Sequence, residues 1–342
     1  MGMALPLDLQ QAMARRDIHQ PYDFFEYVRL DDGSAPAADA THIDVALLDM
    51  NHHWPNLGHD SLVHVLLEAA ESLRDELVQA GLKVRVLSHD VRRALQVPDP
   101  ANDRFQLYLG TGGPGHLDPR LNDGVSEFSQ GINESSAWEA PLFRLFDSIL
   151  ASESSALFAV CHTFGLVCRW SGVARPELRR EKSSGMPQNA LSNDALMHPW
   201  FSQFADDLAD HRHFRVVDNR LFDLVVDELR GFSPIAFESE ASRGLTMIEL
   251  ARTVDGMPRI FGVNHHPEII DREHILTVLE EKQAHGEVTA EWYRERADTM
   301  RELFQGERER QSQLTSYYTL TAPLQHQLQR IVSETKDRLA LA

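Results

Sequence analysis

Residues able to do chemistry concentrate in three short segments. ALFAVCHTFGL, residues 156–166, is an apolar run that reaches Cys161 and then turns helical in pattern. FGVNHHPEI, residues 261–269, carries His266 and Glu268 two positions apart. FQLYLGTGGPG, residues 105–115, is another apolar run and leads into Gly112, Gly113, Pro114 and Gly115. A thiol, an imidazole and a carboxylate together meet the needs of acyl transfer through a thioester. They supply a nucleophile, a base that exchanges a proton with it, and an acid that holds the base in one tautomer. A glycine loop adds backbone N–H groups that can come close to a substrate.

Each segment also has a plainer reading. An isolated cysteine in an apolar run is commonly a buried packing residue. The chain has 17 histidines, so one beside a strand end can be accidental. The glycines can form an ordinary turn, and no Lys-Ser/Thr pair follows them to make a phosphate cradle. Cys168, two helical turns beyond Cys161, reads as packing.

The elements around these residues decide between the readings. A strand that stays apolar up to its last residue and then becomes helix puts Cys161 in a sharp turn at the carboxyl edge of a sheet, where open α/β sheets bind ligands. The helix N-terminus there favours a thiolate and aims N–H groups at a developing oxyanion. In extended backbone, residues two apart share a face, so Glu268 can orient His266 while His265 points away as a lesser rival.

Hydrophobic periodicity predicts strands over 43–50, 82–89, 105–115 and 156–161, alternating with helices over 62–81 and 141–153. Strand–helix alternation predicts a parallel sheet covered on both faces. Residues 172–195, rich in Gly, Ser, Pro and Asn, read as a surface segment, and 198–211 as a helix. Residues 214–226 read as strand mixed with short helix, and the runs near 233–240, 244–253 and 258–267 as late strands, several antiparallel. Three parts are expected: an N-terminal arm over 1–40 with a short helix at 7–16, an α/β domain over 41–271, and a charged helical extension over 272–342 with helices near 272–284, 289–312 and 321–338.

Taken in order, GTGGPG, AVCHTFG and GVNHHPE resemble the class I glutamine amidotransferases over roughly residues 43–270. The resemblance implies a flavodoxin-like α/β fold with Cys161 as nucleophile, His266 as base and Glu268 as orienter. It implies that Gly112, Gly113 and Gly115 line the oxyanion and substrate region, with the amides of Gly113 and His162 as donors. The family usually has glycine two residues before and two after the nucleophile, and glutamine four after it. Here those positions are Ala159, Thr163 and Gly165. The triad is therefore clearer than the glutamine pocket.

Composition narrows the function classes. A net charge of −19, from 33 basic and 52 acidic residues, opposes binding to a phosphate backbone, so no nucleic-acid partner is expected. No stretch approaches eighteen consecutive apolar residues, and the first twenty lack a signal-peptide core, so no membrane partner is expected. Two cysteines without a pairing pattern fit a reducing compartment, and a cytoplasmic protein is expected. Asp49-Met50-Asn51-His52-His53-Trp54 is placed to contact substrate; no second ligand group lies near it in sequence, so no metal and no cofactor are expected.

The leading expectation is release of ammonia from glutamine through a Cys161 thioester, for a synthase partner subunit. Alternatives are hydrolysis of a γ-glutamyl conjugate or another amide by the same triad, a non-catalytic binding or regulatory protein that keeps the fold, and a different cysteine hydrolase. The extension is either an oligomerisation and docking element, including for a homo-oligomer, or a lid packed on the sheet.

Overall fold

The computed structural model of the chain describes residues 17–30, 34–54, 56–226 and 232–341. The expected helix over 7–16 lies outside them.

In chain order the strands are β1 (Phe25–Leu30), β2 (His42–Asp49), β3 (Lys83–Asp90), β4 (Leu107–Gly110), β5 (Ala156–Val160), β6 (Ala174–Gly185), β7 (Gln188–Leu191), β8 (His213–Arg215), β9 (Asp218–Val226), β10 (Ser233–Phe237), β11 (Leu245–Arg252) and β12 (Pro258–Val263). The helices are α1 (Leu57–Ser72), α2 (Arg74–Gln79), α3 (Glu139–Ala151), α4 (His162–Ser171), α5 (Asn193–Leu196), α6 (Phe201–Asp207), α7 (Arg272–Ala284), α8 (Ala290–Leu303), α9 (Glu307–Ser316) and α10 (Ala322–Leu341).

Ten strands form one sheet in the order β1-β3-β2-β4-β5-β12-β11-β10-β7-β8. The first six are mutually parallel, and β11, β10, β7 and β8 continue the sheet antiparallel. Numbered by their own succession, β2, β3, β4, β5 and β12 run 2-1-3-4-5 across the sheet, the flavodoxin-like order. Alternate side chains of the parallel strands go to opposite faces. Val45, Leu47, Phe158 and Val160 meet α1, α6 and α10 on one face. Ala46, Leu48, Leu157 and Ala159 meet α3 and α4 on the other. Burial on both faces explains why the central strands β2, β4 and β5 read as largely apolar runs.

Four expectations change. Phe25–Leu30, read as part of an arm, is an edge strand parallel to β3, because Phe25 has the core beneath it. Residues 174–185, read as a surface segment, are indeed mostly exposed but form a strand, β6, which pairs with β9 in a two-stranded ribbon. Its polar residues face outward while Ala174, Phe222, Leu224 and Val226 close over the α4 face. Residues 214–226, read as strand mixed with short helix, hold the end of β8 and all of β9 with no helix between them. The 198–211 region holds only the short helix α6, preceded by α5. The helical extension packs on its own chain: α10 buries Leu324, Leu328, Ile331 and Val332 in the same cluster as α1.

Candidate active site

Cys161 stands between β5 and α4 with φ 48 and ψ −100, backbone angles that a residue with a side chain rarely adopts. Its amide donates to the Val263 carbonyl at 2.8 Å, and its carbonyl accepts from the Gly165 amide at 3.0 Å. The elbow is thus pinned to β12 on one side and closes the first turn of α4 on the other. Strain held in this way by surrounding structure is typical of functional positions.

The β5–β12 pairing also delivers the histidine. Val263 lies in register with Val160, so the chain leaving β12 passes directly beside the elbow. His266 does not sit in a strand: β12 ends at Val263, the His266 amide donates to the Val217 carbonyl at 2.8 Å, and the Ile269 amide donates back to the His266 carbonyl at 3.3 Å. A turn, not strand alternation, therefore brings His266 Nδ1 to 2.7 Å from Glu268 Oε1. With Nδ1 engaged, Nε2 is the ring nitrogen left free to exchange a proton with a neighbouring thiol. Burial opposes charge on His266. The Glu268 carboxylate and the Cys161 sulfur overcome it and hold the imidazole well above its ordinary pKa.

Glu268 is fully buried against the first turn of α1. A Cβ on Gly58 would lie 2.5 Å from Glu268 Oε1, so only glycine lets the helix end approach this closely. The Asn56 side chain caps that turn by accepting from the Gly58 amide at 2.6 Å. The positive end of α1 favours a carboxylate there. Ile269 packs into the α7–α8 cluster, so the helical extension also braces the loop that carries Glu268. His265 is buried and packs edge-on against Phe214, with ring centroids 5.9 Å apart. Burial pushes its pKa well below the ordinary value, which suits a neutral core residue.

The glycine loop reaches the same place. A Cβ on Gly112 would lie 3.0 Å from His266 Cε1 and 3.4 Å from Cys161 Cβ, so Gly112 borders both groups. Gly113 packs against the Met50 carbonyl, where a Cβ would come within 2.3 Å. Among the described residues neither the Gly113 amide nor the His162 amide has an acceptor, whereas the Gly115 amide donates to Gln130 Oε1 at 2.7 Å. Gly115 therefore shapes the loop rather than offering a free donor. The His162 ring is buried, and burial together with the Arg92 guanidinium pushes its pKa well below the ordinary value.

Several supporting residues carry no motif. Buried Arg92 makes a two-pronged pair with Glu134 at 2.8 and 2.6 Å and donates to the Met50 and Pro114 carbonyls at 2.9 and 2.7 Å. It clamps the loop after β2 to the loop after β4. The Thr163 hydroxyl donates to the Thr111 carbonyl at 2.7 Å, tying the elbow helix to the glycine loop. The 49–54 run lies at the same edge. There Asn51 Nδ2 donates to Asp49 at 2.7 Å, and His53 pairs with Asp90 at 2.7 Å.

No family model matches the chain, and no curated protein matches it. Solved structures similar to it include a glutamine amidotransferase from Thermotoga maritima, 14% identical with a TM-score of 0.48, covering 85% of this chain and 98% of that one. A glutamine amidotransferase from Methylobacillus flagellatus is 14% identical with a TM-score of 0.42, covering 85% of this chain and 93% of that one. The fold assignment rests on the strand order and the elbow themselves.

The departures at Thr163 and Gly165 have local explanations. A Cβ on Gly110 would fall 2.2 Å from Thr163 Cγ2, so the space for the Thr163 side chain is provided by a glycine in β4. A Cβ on Gly165 would fall 2.5 Å from Leu117 Cδ1. Leu117 is buried over the helix position where the resembling family carries glutamine.

Proposed function

We propose that the chain is a cysteine-dependent amide hydrolase of the glutamine amidotransferase type. The carrying observation is the 2.7 Å His266–Glu268 contact beside the Cys161 elbow, at the carboxyl edge of a flavodoxin-like sheet. In this reading the Cys161 sulfur attacks a carboxamide carbon, and the amides of Gly113 and His162 receive the oxyanion. As the C–N bond breaks, His266 Nε2 gives its proton to the leaving nitrogen and ammonia or an amine departs. His266 then takes a proton from water, which adds to the thioester, and thiol and acid are released. Glu268 keeps the imidazole in the required tautomer throughout.

Leu117 over Gly165 supports a second reading within the same mechanism. The helix offers no side chain at the position where the family holds glutamine, and an apolar group covers it. That favours an amide other than free glutamine, including a γ-glutamyl conjugate. In either case the ammonia or amine goes to a separate acceptor or to solvent.

The test is product release from glutamine and from γ-glutamyl amides by wild type and Cys161→Ala. Release from either substrate that disappears in Cys161→Ala is expected, with γ-glutamyl amides preferred if Leu117 governs the pocket. Turnover retained by Cys161→Ala would overturn the assignment.

A further inference from the structure

We propose that Asp17, His19 and His285, with Glu287 beside them, form a binding site for one borderline transition-metal dication such as Zn2+. The site would clip the segment that leads into β1 to the turn between α7 and α8. It is separate from the Cys161 line and uses none of its residues.

The ligand atoms of Asp17, His19 and His285 all lie within 4.8 Å of one another. His285 Nε2 is 3.4 Å from Asp17 Oδ2, and His19 Nε2 is 3.9 Å from Glu287 Oε1. A tetrahedral Zn2+ site with bonds of about 2.0–2.1 Å has ligand–ligand edges of about 3.3–3.4 Å. The first separation already fits, and the second closes with a small side-chain adjustment. The two imidazoles stand side by side, ring centroids 4.5 Å apart.

The surroundings orient each donor, as the outer groups of a metal centre do. Asp17 Oδ1 accepts from the His19 amide at 2.9 Å, which leaves Oδ2 toward His285. The Tyr22 hydroxyl donates to the Asp17 carbonyl at 2.9 Å and fixes that turn. The His19 ring lies edge-on to Tyr27 at 5.9 Å. His285 closes the carboxyl end of α7, and Gly286, with φ 73, reverses the chain so that Glu287 faces back. Glu287 Oε2 is taken by Lys282 at 2.9 Å, leaving Oε1 toward His19. Both carboxylates thus have one oxygen committed and one directed inward.

The donor set selects the metal class. Two imidazoles with carboxylates suit Zn2+, Co2+ or Ni2+, whereas Mg2+ and Ca2+ take oxygen ligands. The four side chains are partly exposed, so an ion can reach them. Without an ion the same residues make an ordinary surface cluster of weak ion pairs, and the experiment separates the two.

The full chain carrying Cys161→Ser, which removes the reactive thiol as a rival ligand, is stripped with chelator and titrated with Zn2+ against a chromogenic chelator. One equivalent should bind and raise the thermal midpoint. His19→Ala and His285→Ala should each weaken binding at least about tenfold and abolish the rise. Co2+ should give the intense visible absorption of a tetrahedral site, lost in the same variants. His326→Ala removes a similar surface imidazole, paired with Asp255 at 3.3 Å, and should bind as the parent does. The proposal is overturned if no stoichiometric binding occurs, if the His19→Ala/His285→Ala double variant still binds, or if His326→Ala weakens binding equally. Circular dichroism of each variant separates loss of a ligand from loss of the fold.

Discussion

His266 is buried yet favours its charged form, because Glu268 and Cys161 hold it above the ordinary imidazole pKa. Two consequences follow at the residue scale. In the proposed mechanism the proton on Nε2 goes to the leaving group, so the alkaline limb of kcat/KM should lie above the usual imidazole range. Glu268→Gln removes the main opposing charge and leaves burial to act. The limb should then move to lower pH, and kcat should fall at least about tenfold through loss of tautomer control. An unmoved alkaline limb in Glu268→Gln would show that Glu268 does not set the state of His266. Stability follows the same sign. A folded-state pKa above the unfolded value of about 6.5 stabilises fully below about pH 6.5, and this contribution is lost as pH rises through the folded value. Urea midpoints of wild type and Glu268→Gln should therefore differ most in mild acid and converge in alkali.

At the scale of elements, the elbow helix and the glycine loop fit each other through two exchanges of volume. Gly110 makes room for Thr163, and Gly165 makes room for Leu117. The second exchange gives a prediction whose sign is decided by contact. Gly→Ala inside a helix ordinarily stabilises by about 0.5–1 kcal/mol. At Gly165 the new methyl would sit 2.5 Å from Leu117 Cδ1, and overpacking costs about 1–3 kcal/mol. Gly165→Ala should thus destabilise. Leu117→Ala alone should also destabilise, by about 2–5 kcal/mol, through the cavity it leaves. The double variant should lose less than the sum, because the methyl then enters vacated space. Urea unfolding of the four proteins measures this, and a stabilised Gly165→Ala would mean that Leu117 does not fill the position. Between α1 and α7 a polar contact works in the same way. Lys282 reaches buried Asp60 at 2.5 Å, and Asp60 also accepts from His59 at 2.6 Å. The charged helices of the extension are therefore docked by specific pairs as well as by apolar area.

At the scale of the whole molecule, the helical extension shares its core with the sheet. Leu320, Leu324, Leu328, Ile331 and Val332 belong to the same core cluster as α1 and the inner strands. The α7–α8 cluster includes Ile269, next to Glu268. Truncation after Asp271 removes one cover of the sheet and the brace of the triad loop together. The shortened chain should lose cooperative thermal unfolding and expose apolar surface to a hydrophobic dye. Cooperative melting of the truncated chain would show that the extension is dispensable. Among the described residues no helix is long and apolar enough to cross a membrane.

The inner parallel strands and the residue types of the candidate triad were legible in the sequence for physical reasons. Strands buried on both faces are dominated by apolar residues, so 43–50 and 156–161 announce themselves without partners, and 82–89 does so through Leu82, Val84, Val86 and Leu87 despite its buried Arg85. A cysteine at the end of such a strand before a helix is bound to a sheet edge by chain geometry alone. The edge strand Phe25–Leu30 and the ribbon strand Ala174–Gly185 were not legible, because the first is only partly buried, the second is mostly exposed, and their polar residues resemble loop. The chain by itself thus determined the inner strand succession and the residue types of the candidate triad. The tertiary structure decided which histidine pairs with Glu268 beside the Cys161 elbow, since that depends on a turn after β12 and on the β5–β12 register. It also decided that Arg92 clamps the glycine loop, that Leu117 covers Gly165, and that Asp17 and His19 stand beside His285. Each of these contacts joins residues distant in the chain, and only packing of the whole core brings them together.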